Sequence, residues 1–190
     1  MKQKLAARRE AFERRKTAFE ISPKAHCTVG GYVCDLAESW AEKQVVSGYV
    51  PIRSEIQTEG TMRCLHRMGF RMCVPVIKGN GKPLEFRSWR PTSKMIDSTF
   101  QVPVPSHGAY VTPSILLVPM LAFDSRGARM GYGGGFYDRT LEKLRAAGDV
   151  LAIGLAFAAQ RVEELPTDTT DQFMDIIVTE KGIMDFRNRA

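Results

Sequence analysis

The chain has 190 residues, 44% of them hydrophobic and 25% charged, with a formal net charge of +6. That length is enough to bury one core without metals or crosslinks, and the composition is that of an ordinary globular protein, which excludes disordered and fibrous classes. No run of about 18 apolar residues occurs, which excludes a helical membrane span; the charged N-terminus has no apolar stretch ending in small residues, so no secretory signal is expected and the expected location is the cytoplasm.

In chain order, Leu5, Phe12 and Phe19 recur every seven residues and predict a first helix with one apolar stripe, ending before Ser22-Pro23. Residues 1–16 hold seven basic side chains against two acidic ones, nearly the whole net charge. Lys4, Arg8 and Arg15 fall beside the stripe at 100° per residue, so their heads can reach a cleft. A basic helix of this kind suits nucleic acid, an anionic small molecule or plain solvent. A second helix is expected from Ala25 to Glu42, then a strand from Gln44 to Ile52. Thr58 is placed to cap a helix that runs through Met62, Leu65 and Met68 to Gly69.

Arg71 to Ile77 reads as a buried strand, and Asn80-Gly81 as a tight turn returning it antiparallel through Leu84 to Trp89. The proline-rich stretch from Pro91 to Pro113 is irregular and suits a surface loop or part of a site wall. Ile115 to Phe123 is the most apolar segment and reads as a central strand covered on both faces. A helix from Tyr137 to Ala147 and strands from Val150 to Ala158 and Asp175 to Thr179 complete the order. Strands alternating with helices predict an α/β fold, a three-layer α/β/α arrangement with a mostly parallel central sheet, in one domain over residues 1–190. Cys27, Cys34, Cys64 and Cys73 have no metal-site spacing and are expected as buried thiols; His26, His66 and His107 are isolated and get no ligand role.

Chemistry concentrates after the central strand. A turn at Arg126-Gly127 leads into Gly131-Tyr132-Gly133-Gly134-Gly135-Phe136-Tyr137-Asp138-Arg139, where glycines let successive backbone N–H groups close on an anion. The helix that follows adds its positive end, Arg129 and Arg139 add charge, and Asp138 offers a hard oxygen to Mg²⁺. A glycine-rich turn without a ligand fits the same residues. The spacing matches neither G-x-x-x-x-G-K-[ST] nor G-x-G-x-x-G.

Val118-Pro119-Met120-Leu121-Ala122-Phe123-Asp124, continuing through Gly127 and Arg129 to Arg139, closely resembles the signature of 5-formyltetrahydrofolate cyclo-ligases. The resemblance extends to Lys4 and Arg8, Ser54-Glu55-Ile56-Gln57-Thr58, Ile153-Gly154-Leu155-Ala156-Phe157 with Gln160, Leu165-Pro166, Asp171 and Asp175 to Glu180. It implies ATP- and Mg²⁺-dependent conversion of 5-formyltetrahydrofolate to 5,10-methenyltetrahydrofolate by a monomer acting on small molecules, with no nucleic acid and no membrane. By residue it implies ATP contacts from Lys4 and Arg8 and a phosphate cradle of Arg129, Met130, Gly131, Tyr132, Gly133, Gly134, Gly135, Phe136 and Tyr137, with catalytic roles for Arg129 and Tyr137. Val50, Glu55 and the Tyr132 to Phe136 stretch would contact the folate, and Asp138 and Asp171 the metal. Some relatives carry a lysine where this chain has Gly134. Outside the resemblance, Glu55 suits the acidic start of a helix and Asp171 a solvated loop; Trp89 and Phe100 could stack on a pterin or aminobenzoate ring but better suit core or loop packing.

Overall fold

The computed structural model describes residues 2–40 and 44–187, with side chains from Leu5 onward. Among these residues the helices are α1 (Lys2–Ile21), α2 (Ala25–Ala37), α3 (Glu59–Arg67) and α4 (Phe136–Ala147). The strands are β1 (Val45–Ser47), β2 (Arg71–Val76), β3 (Glu85–Ser88), β4 (Met95–Ile96), β5 (Val104–Pro105), β6 (Ile115–Pro119), β7 (Ala122–Phe123), β8 (Arg129–Met130), β9 (Leu151–Leu155), β10 (Ile176–Thr179) and β11 (Gly182–Asp185).

Seven strands form the main sheet in the order β11-β10-β9-β6-β1-β2-β3. From β10 to β2 neighbouring strands are parallel, and only the edges, β11 and β3, run antiparallel. Chain order steps from β1 to β2 in one direction and from β6 to β9 in the other. Right-handed crossovers then put α3 and α4 on opposite faces. Successive strand residues serve the two faces in turn. Ile115 and Leu117 pack into the core with α2 and α3, while Leu116 and Val118 pack with Leu141 of α4. The expected three-layer α/β/α fold with a mostly parallel sheet is therefore present. The reversal of winding between β1 and β6 leaves a crevice beyond the carboxyl ends of those strands.

Local expectations fared unevenly. Helix α1 forms, but Leu5 is 69% exposed and the buried face is Ala11, Arg15 and Ala18. Small residues let α1 lie close to the body of the protein, so the large apolar residues do not mark its inner face. Helix α2 stops at Ala37; its expected end at Glu42 lies outside the described residues. The strand expected to reach Ile52 pairs only over Val45–Ser47. Thr58 makes no capping hydrogen bond; its hydroxyl donates to Tyr49 O at 2.5 Å instead. The apolar run from Ile115 breaks after Pro119, and Ala122–Phe123 pairs with Arg129–Met130 as a separate hairpin around the Arg126-Gly127 turn. The proline-rich stretch holds the short β4–β5 ladder, and β11 adds an edge strand that periodicity did not mark. Of the four thiols only Cys73 is buried, while Cys27 is exposed. Trp89 is core, 7% exposed.

Candidate active site

A cleft of about 780 Å³ occupies the crevice beyond β1, β2 and β6. Tyr49, Val50 and Glu55 line it after β1, Pro75 and Ile77 at the end of β2, and Pro119 at the end of β6. The glycine segment and the start of α4 form a second wall, and Arg8, Phe100, Val102 and the loop from Leu165 to Asp171 add to the lining.

The first wall is held by hydrogen bonds across a short loop. Tyr49 Oη donates to Ile56 O at 3.0 Å, which closes the turn that carries Glu55. Glu55 is 3% exposed, and its Oε2 accepts the Ile52 N–H at 2.9 Å. Its Oε1 faces Arg15 Nη1 at 3.5 Å. Burial pushes the Glu55 carboxyl up to about 7, against the lowering influence of the Ile52 N–H and of Arg15. A carboxyl so poised can exchange a proton near neutrality and, when ionised, accept N–H donors from a ligand.

The second wall is an array of donors. Among the described residues, none of the backbone N–H groups of residues 131–138 has an acceptor. Several carbonyls are already taken: Arg8 Nε donates to Gly131 O at 3.3 Å and Arg139 Nη2 to Gly134 O at 2.5 Å. The two arginines thus turn carbonyls away and leave N–H groups for an anion. Two glycines are required here. Gly133 has φ of +97°, and a Cβ there would meet the Arg8 guanidinium at 3.0 Å. Gly135, at φ of 63°, is the left-handed N-cap of α4, and the first residues of that helix line the cleft, which brings its positive end to the site. Tyr132 folds back over α1, its hydroxyl accepting from Arg15 Nη2.

The acidic side chains stand at the far end of this wall. Asp138 Oδ1 accepts from Arg129 Nη2 at 2.8 Å and from the Gln172 N–H at 3.2 Å. Asp171 Oδ2 accepts the Asp168 N–H at 2.7 Å. The other oxygen of each carboxylate has no hydrogen bond among the described residues, and both residues line the cleft. No group of three or more acidic, histidine or cysteine side chains forms a closed metal site among the described residues. Two oxygens without a closed cage suit Mg²⁺, which takes one or two carboxylates and completes its shell with phosphate oxygens and water.

Most residues singled out from the sequence meet in this one cleft: Arg8, Val50, Glu55, Arg129 through Asp138, and Asp171. The side chain of Lys4 lies outside the described residues. Arg129 lines the cleft, and its guanidinium, 5% exposed, is bonded to Asp138 and to Gln172 O. Gln160 has a structural task, its amide donating to Met120 O and Leu121 O. His26 packs between Phe19 and Phe157. Phe100, for which core or loop packing was preferred over ring stacking, lines the cleft. Two further residues do more than the sequence disclosed. Tyr49 reads only as a strand residue. Arg15, marked as bordering the helix stripe, is 1% exposed and reaches the back of Glu55.

The model of the 5-formyltetrahydrofolate cyclo-ligase family matches residues 2–180. A 5-formyltetrahydrofolate cyclo-ligase of Haemophilus influenzae is 32% identical over 162 residues, covering 82% of this chain and 86% of that one. One from Escherichia coli is 30% identical over 150 residues, covering 74% and 80%. Among solved structures, the 5,10-methenyltetrahydrofolate synthetase of Aquifex aeolicus superposes with a TM-score of 0.73 at 24% identity, over 98% of this chain and 94% of that one. The Mycoplasma pneumoniae synthetase gives 0.74 at 18% identity, over 93% and 98%, and shares the fold. With the family match spanning nearly the whole sequence and the signature residues gathered in one cleft, the chain belongs to the 5-formyltetrahydrofolate cyclo-ligase family.

Proposed function

We propose that this protein cyclises 5-formyltetrahydrofolate to 5,10-methenyltetrahydrofolate, using ATP and Mg²⁺ and releasing ADP and phosphate. The observation that carries the reading is the meeting of two unlike walls in one cleft. One wall presents unpartnered N–H groups on the glycine segment, the other a buried carboxyl among apolar side chains.

The chemistry needs such a pairing. A formamide oxygen is a poor leaving group, so the γ-phosphoryl group of ATP is transferred to it and ADP leaves. N10 then attacks the formyl carbon, the C–O bond breaks, and N10 gives up its proton as phosphate departs. These steps call chiefly for positioning and charge stabilisation. In this reading Lys4, Arg8 and the segment from Arg129 to Tyr137 hold ATP, with backbone N–H groups on its phosphates. Val50, Glu55 and Tyr132 to Phe136 hold the folate. Burial keeps the Tyr137 phenol protonated, so it serves as a donor toward the oxygen being phosphorylated. Arg129 fixes Asp138 and adds positive charge behind it. Asp138 and Asp171 would hold Mg²⁺, which supplies charge neutralisation on the phosphates when bound.

The 190 residues would act as one domain, as a monomer on small molecules in the cytoplasm, without nucleic acid or membrane; among the described residues no helix is long and apolar enough to cross a membrane. Mixing the purified protein with 5-formyltetrahydrofolate, ATP and Mg²⁺ should generate the methenyl chromophore, with one ADP per product. Absence of ATP-dependent absorbance change at high enzyme concentration would refute the reading.

A further inference from the structure

We infer that Arg15 is the positioning residue that favours the ionised form of Glu55, holds it in place for the folate and fastens the glycine segment to the same anchor; this rests on the function proposed above. Arg15 is 1% exposed and is not part of the cleft wall, so it acts through its neighbours. Its Nε donates to Ser54 Oγ at 3.2 Å, its Nη1 to Met120 O at 3.3 Å and its Nη2 to Tyr132 Oη. Nη1 also faces Glu55 Oε1 at 3.5 Å. One guanidinium therefore ties together the loop after β1, the residue after β6 and the glycine segment, which are the parts that must hold both substrates in register.

The electrostatics point the same way. A guanidinium taken out of water needs a counter-charge, and among the described residues Glu55 is the carboxylate that meets it. The other titratable groups facing Glu55 are the phenols of Tyr49, Tyr132 and Tyr137, and burial holds each of them in its neutral form. Arg53 lies farther out, over the Tyr132 ring. Arg15 is thus the cation set against Glu55, and its removal leaves only the Ile52 N–H to oppose burial, so that Glu55 shifts further toward its neutral form and loses acceptor capacity for ring N–H donors.

The test compares Arg15→Met and Arg15→Lys with the wild type in two readouts: titration of the Glu55 carboxyl by carbon-13 NMR, and KM for each substrate against pH. In Arg15→Met the Glu55 titration should move up by about one pH unit or more, and KM for 5-formyltetrahydrofolate at pH 7 should rise about fivefold or more. KM for the folate should recover toward pH 9, KM for ATP should rise by a smaller, pH-independent factor as the tie to Tyr132 is lost, and Arg15→Lys should restore much of the loss. An unmoved Glu55 titration, or equal and pH-independent rises in both KM values, would overturn the inference. If wild type turns over no folate, the proposed function fails, while the NMR titration still decides whether Arg15 governs Glu55. Should Arg15→Met not fold, the double variant Arg15→Met with Glu55→Gln removes both buried charges. Folding of the double variant alone would support the coupling, and failure of both would reduce Arg15 to a packing residue and overturn it.

Discussion

Glutamine at position 55 keeps the shape of the glutamate and removes its titration, which makes Glu55→Gln a direct probe of the cleft. In the folded protein the carboxyl stands at about 7, against an ordinary value of 4.5, chiefly through burial. Between those pH values the folded chain retains a proton that the unfolded chain has released. Stability from this group is therefore complete below about pH 4.5 and is lost as pH rises toward 7. At about 1.4 kcal/mol per pH unit, the loss amounts to about 3 kcal/mol. Urea unfolding of wild type and variant at pH 5, 6, 7 and 8 should give a stability difference, wild type minus variant, that falls by about that amount across the series. The slope is the readout rather than the level, because the neutral amide leaves Arg15 without its counter-charge at every pH. Parallel stability curves would refute the placement of Glu55 as a buried acid. The same variant should raise KM for the folate about tenfold or more while leaving KM for ATP nearly unchanged, as measured by steady-state kinetics.

Asp171→Asn should cut Mg²⁺-dependent turnover about tenfold to a hundredfold and shift the melting temperature little, since its visible partner is one loop N–H. Asp138→Asn should cut turnover and also destabilise by about 2 to 3 kcal/mol, because it leaves the buried Arg129 unpaired; a magnesium titration with parallel melting curves separates the two. Gly133→Ala places a methyl group against Arg8 in a left-handed backbone, costing about 1 to 2 kcal/mol; it should raise KM for ATP more than KM for folate. Asp124→Asn should lower stability by about 3 kcal/mol with smaller changes in either KM, because Asp124 is fully buried, does not itself line the cleft, and accepts from Arg126 and from the N–H groups of Ala128 and Leu165.

The sheet was legible because its strands are short apolar runs separated by helix patterns and turn residues, and periodicity encodes that. What periodicity misses is decided by close approach. Helix α1 buries Ala11, Arg15 and Ala18 rather than Leu5, since small residues permit contact and the buried charge of Arg15 is paired across the fold by Glu55, distant in sequence. Local chemistry exposed the glycine segment, since its need for positive φ at Gly133 and Gly135 is written in residue type. Its carbonyls, by contrast, are turned away by Arg8 and Arg139 through tertiary contacts. Asp138 carried a metal role in the sequence, and the structure adds a partner in Arg129 that the spacing along the chain did not disclose.

The cleft is read as the place where the formyl oxygen takes the γ-phosphoryl group, and an oxygen label tests that step most directly. With 5-formyltetrahydrofolate carrying ¹⁸O in the formyl group, single-turnover reaction with ATP and Mg²⁺ should release phosphate that contains the label, alongside the methenyl product. Methenyl product formed with unlabelled phosphate would contradict phosphorylation of the formyl oxygen in this cleft.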